Sequence, residues 1–171
     1  MIYTIGHSTR TAAAFVELLR IHQVGGLADV RTIPRSRRHP HFEREALSRI
    51  LSEEGIEYCH VQELGGLRKP RPDSANTAWR HPSFRGYADS MASESFAQGM
   101  ERLLEFARAR PTAIMCAEAV WWQCHRRLLA DALVVRGVPV SHILSGSSPE
   151  PHALSDFARV QGGSLTYPGL L

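Results

Sequence analysis

Two of the three cysteines, a glutamate, a histidine and two arginines crowd into residues 112–127, TAIMCAEAVWWQCHRR. A thiol becomes a nucleophile on ionising, and a neighbouring cation or a helix N-terminus promotes that ionisation. Cys116 and Cys124 are therefore both candidate nucleophiles, with His125 and Arg126 as activators and Glu118 as a general acid or base. The same residues admit a zinc reading, in which His7 or Glu118 completes a set begun by Cys116, Cys124 and His125. Cys-x7-Cys-His is not a finger spacing, so no metal ligand is assigned and the cofactor is left unknown.

The elements around this stretch decide whether those groups can meet. Residues 112–115 read as a short apolar strand after Pro111, and 121–135 as a helix ending before Gly137. Cys116 and Glu118 then leave the carboxyl end of a strand. Cys124, His125 and Arg126 fall near the first turn of the next helix, where free N–H groups and the helix dipole favour anions and thiolates.

Upstream, residues 2–5 form a first strand, and Gly6, His7, Ser8 and Thr9 turn into an amphipathic helix with Phe15, Leu18 and Leu19 inward and Ser8 or Thr9 as its cap. Residues 24–33 supply a second strand carrying Asp29 and Arg31, which must pair with each other or with a ligand because unpaired buried charge is costly. The loop PRSRRHPHF at 34–42 holds three arginines and no acid, and its prolines forbid regular structure. It is a candidate anion site; His39-x-His41 within it lacks the further ligands a metal needs.

A helix at 43–54 and a third strand at 56–61 follow, with Cys59 read as a buried small hydrophobe. Residues 67–84 are basic and proline-rich and are expected to be a loop or a lid over the sheet edge. A helix pair covers 84–91 and 95–108, the second with Phe96, Met100, Leu103 and Leu104 on its core face. A fifth strand covers 138–144, with His142 a satisfied core or edge histidine. The tail, residues 145–171, is expected to pack a short helix near 151–160 and then fray.

Strands near 2, 24, 56, 112 and 138, alternating with helices, predict one α/β domain over residues 1–171. Its sheet of about five strands is mostly parallel and covered by helices on both faces. At 171 residues and 43% hydrophobic, the chain is long enough for a real core. No apolar run approaches the ~18 residues of a membrane span, and no signal peptide is visible, so a cytoplasmic protein with reduced thiols is expected. Net charge is only +3, which permits an anionic partner without requiring nucleic acid. Lys69 is the single lysine among 20 basic residues; arginine forks suit carboxylate and phosphate, although codon bias gives the same excess.

Five ordered motifs resemble the domain-of-unknown-function family numbered 488. They are Thr4-Ile5-Gly6-His7-Ser8; Asp29-Val30-Arg31 with Ser36-Arg37; Leu64-Gly65-Gly66; Phe84-Arg85-Gly86-Tyr87-Ala88-Asp89; and Met115-Cys116-Ala117-Glu118 followed by Cys124-His125-Arg126. Ser90 departs from the aromatic residue often found there. The resemblance implies the fold and a site made of these motifs, not a reaction. It adds Gly6, His7, Ser8, Asp29, Arg31, Ser36, Arg37, Gly65, Gly66, Arg85 and Tyr87 as substrate-binding candidates around the reactive five.

The expected function is an enzyme acting through that site on an anionic small molecule, phosphate-bearing or nucleotide-like. The first alternative is a non-catalytic nucleotide or nucleic-acid binding module, with Trp79, Tyr87, Trp121 and Trp122 as stacking surfaces; packing is expected of Trp122 more than of Trp121. The second is the zinc site. The Cys-x5-Arg spacing of phosphatase and rhodanese loops is absent, because position 122 is tryptophan. Oligomeric state is left undetermined.

Overall fold

A computed structural model describes residues 1–170. In chain order the elements are β1 (Ile2–Gly6), α1 (Ala12–Ile21), β2 (Gly26–Asp29), α2 (Arg44–Glu53), β3 (Glu57–His60), α3 (Pro82–Ser90) and α4 (Glu94–Arg108). Then come β4 (Thr112–Cys116), α5 (Arg126–Val135), β5 (Val140–Ile143), β6 (Glu150–Pro151), β7 (Arg159–Gln161) and β8 (Ser164–Thr166). The main sheet runs β3-β2-β4-β1-β5-β6, parallel throughout except for the antiparallel edge strand β6. The fold is α/β, as the alternation of strands and helices predicts.

The central strands β2 and β4 are buried along their whole length, as a parallel sheet covered on both faces requires. On one face α1 and α2 seat Phe15, Leu19, Leu47 and Leu51 against Ile5, Leu27 and Met115. On the other, α3, α4 and α5 seat Tyr87, Phe96, Leu103, Leu128 and Leu129 against Val30 and Ile114. Alternation along β3 sends Ile56 and Tyr58 to the first face and half-buried Cys59 to the second.

Several boundaries differ from the sequence reading. β2 stops at Asp29 rather than reaching Ile33, because Asp29 folds back onto the Arg31 backbone and side chain. The cap of α1 is Thr11, whose hydroxyl accepts from the Ala14 N–H at 3.1 Å, and Ser8 instead takes a left-handed turn at φ 47°. α5 begins at Arg126, and Trp121–Gln123 form a separate 3-10 turn.

The tail holds no helix at 151–160. It supplies β6 and the β7-β8 hairpin, and it packs rather than frays. Tyr167 is fully buried, edge-on to Trp79, and its N–H donates to Asn76 Oδ1 at 2.9 Å. Residues 67–81 are not a free lid either. Asp89 pins them by accepting from the Arg71 N–H, the Ser74 hydroxyl and the Asn76 amide.

Candidate active site

The connection leaving β2 runs toward β3, and that leaving β4 crosses to the other side of the sheet, toward β5. Adjacent strands whose connections diverge leave a crevice at their carboxyl ends, where open α/β sheets bind ligands. A cavity of about 620 Å³ lies there. Arg31, Thr32, Ile33 and Arg35 come to it from the end of β2, and Cys116, Ala117 and Glu118 from the end of β4. Trp122, Cys124 and His125 come from the turn before α5, Gly66, Leu67 and His81 from the flanking loops, and Phe84 from the first turn of α3.

The two cysteines meet at its floor. Cys116 Sγ lies 2.6 Å from Cys124 Sγ, and both thiols are free. Arg126, only 1% exposed, donates from Nε to Cys124 Sγ at 3.4 Å and from Nη2 to the Glu118 carbonyl. His125 Nδ1 is 3.6 Å from the same sulfur, and its Nε2 is buried without a protein partner. Burial raises the energy of any thiolate here. At Cys124 that is outweighed by the hydrogen bond from Cys116 and by His125 and Arg126, so its pKa falls well below that of an ordinary thiol. Cys116 goes the other way, pushed well up by burial and by its bond to Cys124. Within the pair, ionisation is thus favoured at Cys124 over Cys116. Burial opposes the charge of Arg126, but the two sulfurs hold its pKa above the usual arginine value.

Around this floor the charged residues of the sequence reading are committed to structure. Asp29 is fully buried and grips Arg31 with both oxygens, Nε to Oδ1 at 2.9 Å and Nη2 to Oδ2 at 2.7 Å. Tyr58 donates to Asp29 Oδ2 at 2.5 Å, so the carboxylate has no capacity left for a ligand. Arg31 Nη1 remains, 3.5 Å from His7 Nε2, with the arginine on the cavity wall. His7 stacks on Phe42 and pairs through Nδ1 with the Ser8 carbonyl. That fixes the proton on Nδ1 and leaves Nε2 as an acceptor. Burial lowers the His7 pKa to about 4, so at neutral pH its ring is uncharged.

The glycines act by letting backbones close. A Cβ on Gly6 would lie 1.7 Å from the Glu118 carbonyl oxygen, one on Gly65 2.3 Å from Thr32 Oγ1, and one on Gly66 2.5 Å from the His125 ring. Gly6 thus lets β1 and the segment after β4 run together, an arrangement continued where the His7 and Ser8 N–H groups donate to the Cys116 and Ala117 carbonyls. Gly66 seats the imidazole beside Cys124.

Ten candidates do not line the cavity: Gly6, His7, Ser8, Asp29, Gly65 and Arg126, which act behind it as just described, and Ser36, Arg37, Arg85 and Tyr87. Arg37 is exposed, and Ser36 caps its own loop by accepting from the His39 N–H. Arg85 donates back to the Trp79 and Arg80 carbonyls, and Tyr87 is buried, donating to the Leu64 carbonyl. Glu118 lies on the wall with an exposed side chain.

The aromatic expectation is largely overturned. Trp79 and Tyr87 are core, at 7% and 0% exposure, and Trp121 stacks flat on His142 with ring centres 4.1 Å apart. Trp122, expected to pack, is instead exposed at the cavity mouth beside exposed Ile33 and Leu67. The sequence reading also missed the wall residues Arg35, His81 and Phe84. Arg35 had a signal, its place in the acid-free loop after β2, and Phe84 had one, its place at the head of the Phe84–Asp89 motif; His81 had none beyond lying in the long loop.

Among the described residues, Cys116, Cys124 and His125 are the one cluster with metal-like spacing, their ligand atoms lying within 4.8 Å of one another. Arg126 reaches the same sulfur with a fixed positive charge, which disfavours a cation there. No helix of the described residues is long and apolar enough to cross a membrane. A family model described as Domain of unknown function DUF488 matches residues 11–133, and the chain belongs to that family. No curated protein and no solved structure matches the chain.

Proposed function

We propose that this member of the DUF488 family is an enzyme that uses Cys124 as a thiolate nucleophile on an anionic, phosphate-bearing or nucleotide-like substrate. The observation that carries the reading is the setting of Cys124 Sγ, between the Cys116 thiol at 2.6 Å and the Arg126 guanidinium at 3.4 Å, on the floor of an open cavity. A thiolate held ionised at neutral pH attacks without first losing a proton. Arg126 neutralises the charge before attack, and Glu118 at the mouth gives a proton to the leaving group and then takes one from the water that clears the covalent intermediate. Arg35 supplies the anion contact and Trp122 a face for a planar ring.

The cavity shares Thr32, Ile33 and Arg35 with a hollow of about 890 Å³ that contains Arg44, Arg49 and His60. That gives a nucleotide room for its base in one and its phosphates in the other. Buried free thiols suit a reducing cytoplasm.

The test is the pH dependence of iodoacetamide alkylation at each cysteine, read by peptide mass spectrometry. Cys124 is expected to react with an apparent pKa well below the ~8.5 of a free thiol; a Cys124 that reacts only above that value sinks the reading. Turnover of phosphate esters and nucleotides, lost in Cys124→Ser, then separates the enzyme from a binding module. The zinc alternative rests on the 4.8 Å cluster. It requires stoichiometric zinc in protein purified without added metal, lost in Cys124→Ser and kept in Cys59→Ser.

A further inference from the structure

A nucleophile that transfers a phosphoryl or acyl group needs one sulfur, and this site has two in contact. Cys116 lies on the cavity wall with Cys124, is 3% exposed, and makes its side-chain bond to the Cys124 sulfur. The mouth is flanked by exposed Ile33, Leu67 and Trp122, with Arg35 beside them. That lining suits an apolar or aromatic organic group carrying a negative charge.

We propose that Cys116 is a resolving thiol, so that the site carries out thiol–disulfide exchange with aromatic or apolar organic disulfides that bear an anionic group. This rests on Cys124 being the thiolate of the proposed function.

The steps balance. Cys124 Sγ⁻ attacks one sulfur of R–S–S–R, the S–S bond breaks, and RS⁻ departs, leaving the mixed disulfide Cys124–S–S–R. Its formation removes the negative charge beside Arg126. The guanidinium, whose charge favours ionisation of both sulfurs, is then free to favour the Cys116 thiolate. Cys116 loses its proton to water through the mouth and attacks Cys124 Sγ, expelling the second RS⁻. The substrate disulfide gains two electrons, and the protein keeps an internal Cys116–Cys124 disulfide. An external dithiol reverses the last change by the same exchange, closing a catalytic cycle.

The probe is dithiobis-nitrobenzoate, an aromatic anionic disulfide that releases a coloured thiolate. The reference protein is Cys59→Ala, which removes the half-buried third thiol from the count. It is expected to release two equivalents of colour per chain, keep no adduct, and yield a crosslinked peptide joining residues 116 and 124. Cys116→Ala in that background should release one equivalent and hold the adduct on Cys124, and Cys124→Ala should release almost none.

A Cys59→Ala protein that holds the adduct on Cys124, with no crosslinked peptide, overturns the resolving role while leaving Cys124 a thiolate. A Cys124 that fails to react with both this probe and iodoacetamide at neutral pH overturns the thiolate reading as well. Peptide mapping of the unsubstituted protein after the same treatment makes the test independent of how the variants fold.

Discussion

Arg126 is almost wholly buried, yet its guanidinium touches a sulfur and a carbonyl rather than a carboxylate. A buried charge without a partner costs several kcal/mol, and a thiolate at Cys124, as proposed above, would give Arg126 the counter-charge it otherwise lacks. Arg126→Met removes the partner of that thiolate, and the Cys124 pKa is expected to rise. Below the pKa, each unit lowers the thiolate fraction about tenfold. At a pH below both pKa values, Cys124 of Arg126→Met should therefore alkylate more slowly than that of the unsubstituted protein, while Arg126→Lys, which keeps the charge, should recover part of the rate. An unchanged pH profile in Arg126→Met would remove the guanidinium from the account of Cys124. At this scale the sequence was informative about which residue types gather: Cys116, Cys124, His125 and Arg126, expected together around the start of α5, do meet there. Which cysteine is favoured to ionise was not legible, because it depends on the approach of Cys116 and Arg126 across the fold. The same holds for Asp29, whose pairing with Arg31 follows from the cost of buried charge, but whose second partner, Tyr58, comes from a neighbouring strand.

Strand and helix placement can be tested at Gly6. The Glu118 carbonyl would lie 1.7 Å from an added Cβ, and a backbone atom yields less readily than a side-chain tip. Gly6→Ala should lower the urea midpoint by the equivalent of about 1–3 kcal/mol or more, the usual range for overpacking. It should also disturb Cys124 alkylation, because the displaced carbonyl is an acceptor of Arg126. Gly25→Ala is the control. Its Cβ would meet the Arg110 side chain at 3.4 Å, an ordinary contact, and should change little. The five parallel strands were legible from alternation and apolar runs, and so was α4, whose core face holds Phe96, Met100 and Leu103. The start of α5 was not. Trp121 satisfies a helical pattern, but it stacks on buried His142 and its segment forms a separate 3-10 turn. The β7-β8 hairpin lies under a Gly-Gly pair with both residues at positive φ, a turn signal that the expectation of a helix at 151–160 overrode.

The whole molecule is tied together by a buried chain of polar groups that no local pattern reveals. Asp131 on α5 pairs with His152 at 2.8 Å, His152 with His142 at 2.9 Å, and His142 with Thr4 on β1 at 2.6 Å. Tyr167 donates to the other Asp131 oxygen at 2.9 Å, bringing in the end of the chain. Tyr167→Phe should destabilise by about 1–3 kcal/mol, the cost of leaving a buried acceptor short of a donor; an unchanged urea midpoint would show the tail to be loosely held. The chain also sets the response to acid. Burial lowers the His142 pKa to about 3, helped by His152 and Arg126, and the His7 pKa to about 4, with Arg31, Asp29 and His39 as its charged neighbours. In the unfolded chain both return to about 6.5. Between those values the unfolded state binds the extra protons, and stability rises with pH wherever that is so. Stability should therefore be unaffected by these histidines above pH ~7 and fall as pH drops from about 6.5 toward 4, before most carboxylates titrate. His142→Asn and His7→Asn should each flatten that slope even while lowering stability at neutral pH. The measurement is the urea midpoint across this range, and equal slopes in the unsubstituted protein and both variants would mean that neither imidazole is held neutral by the fold.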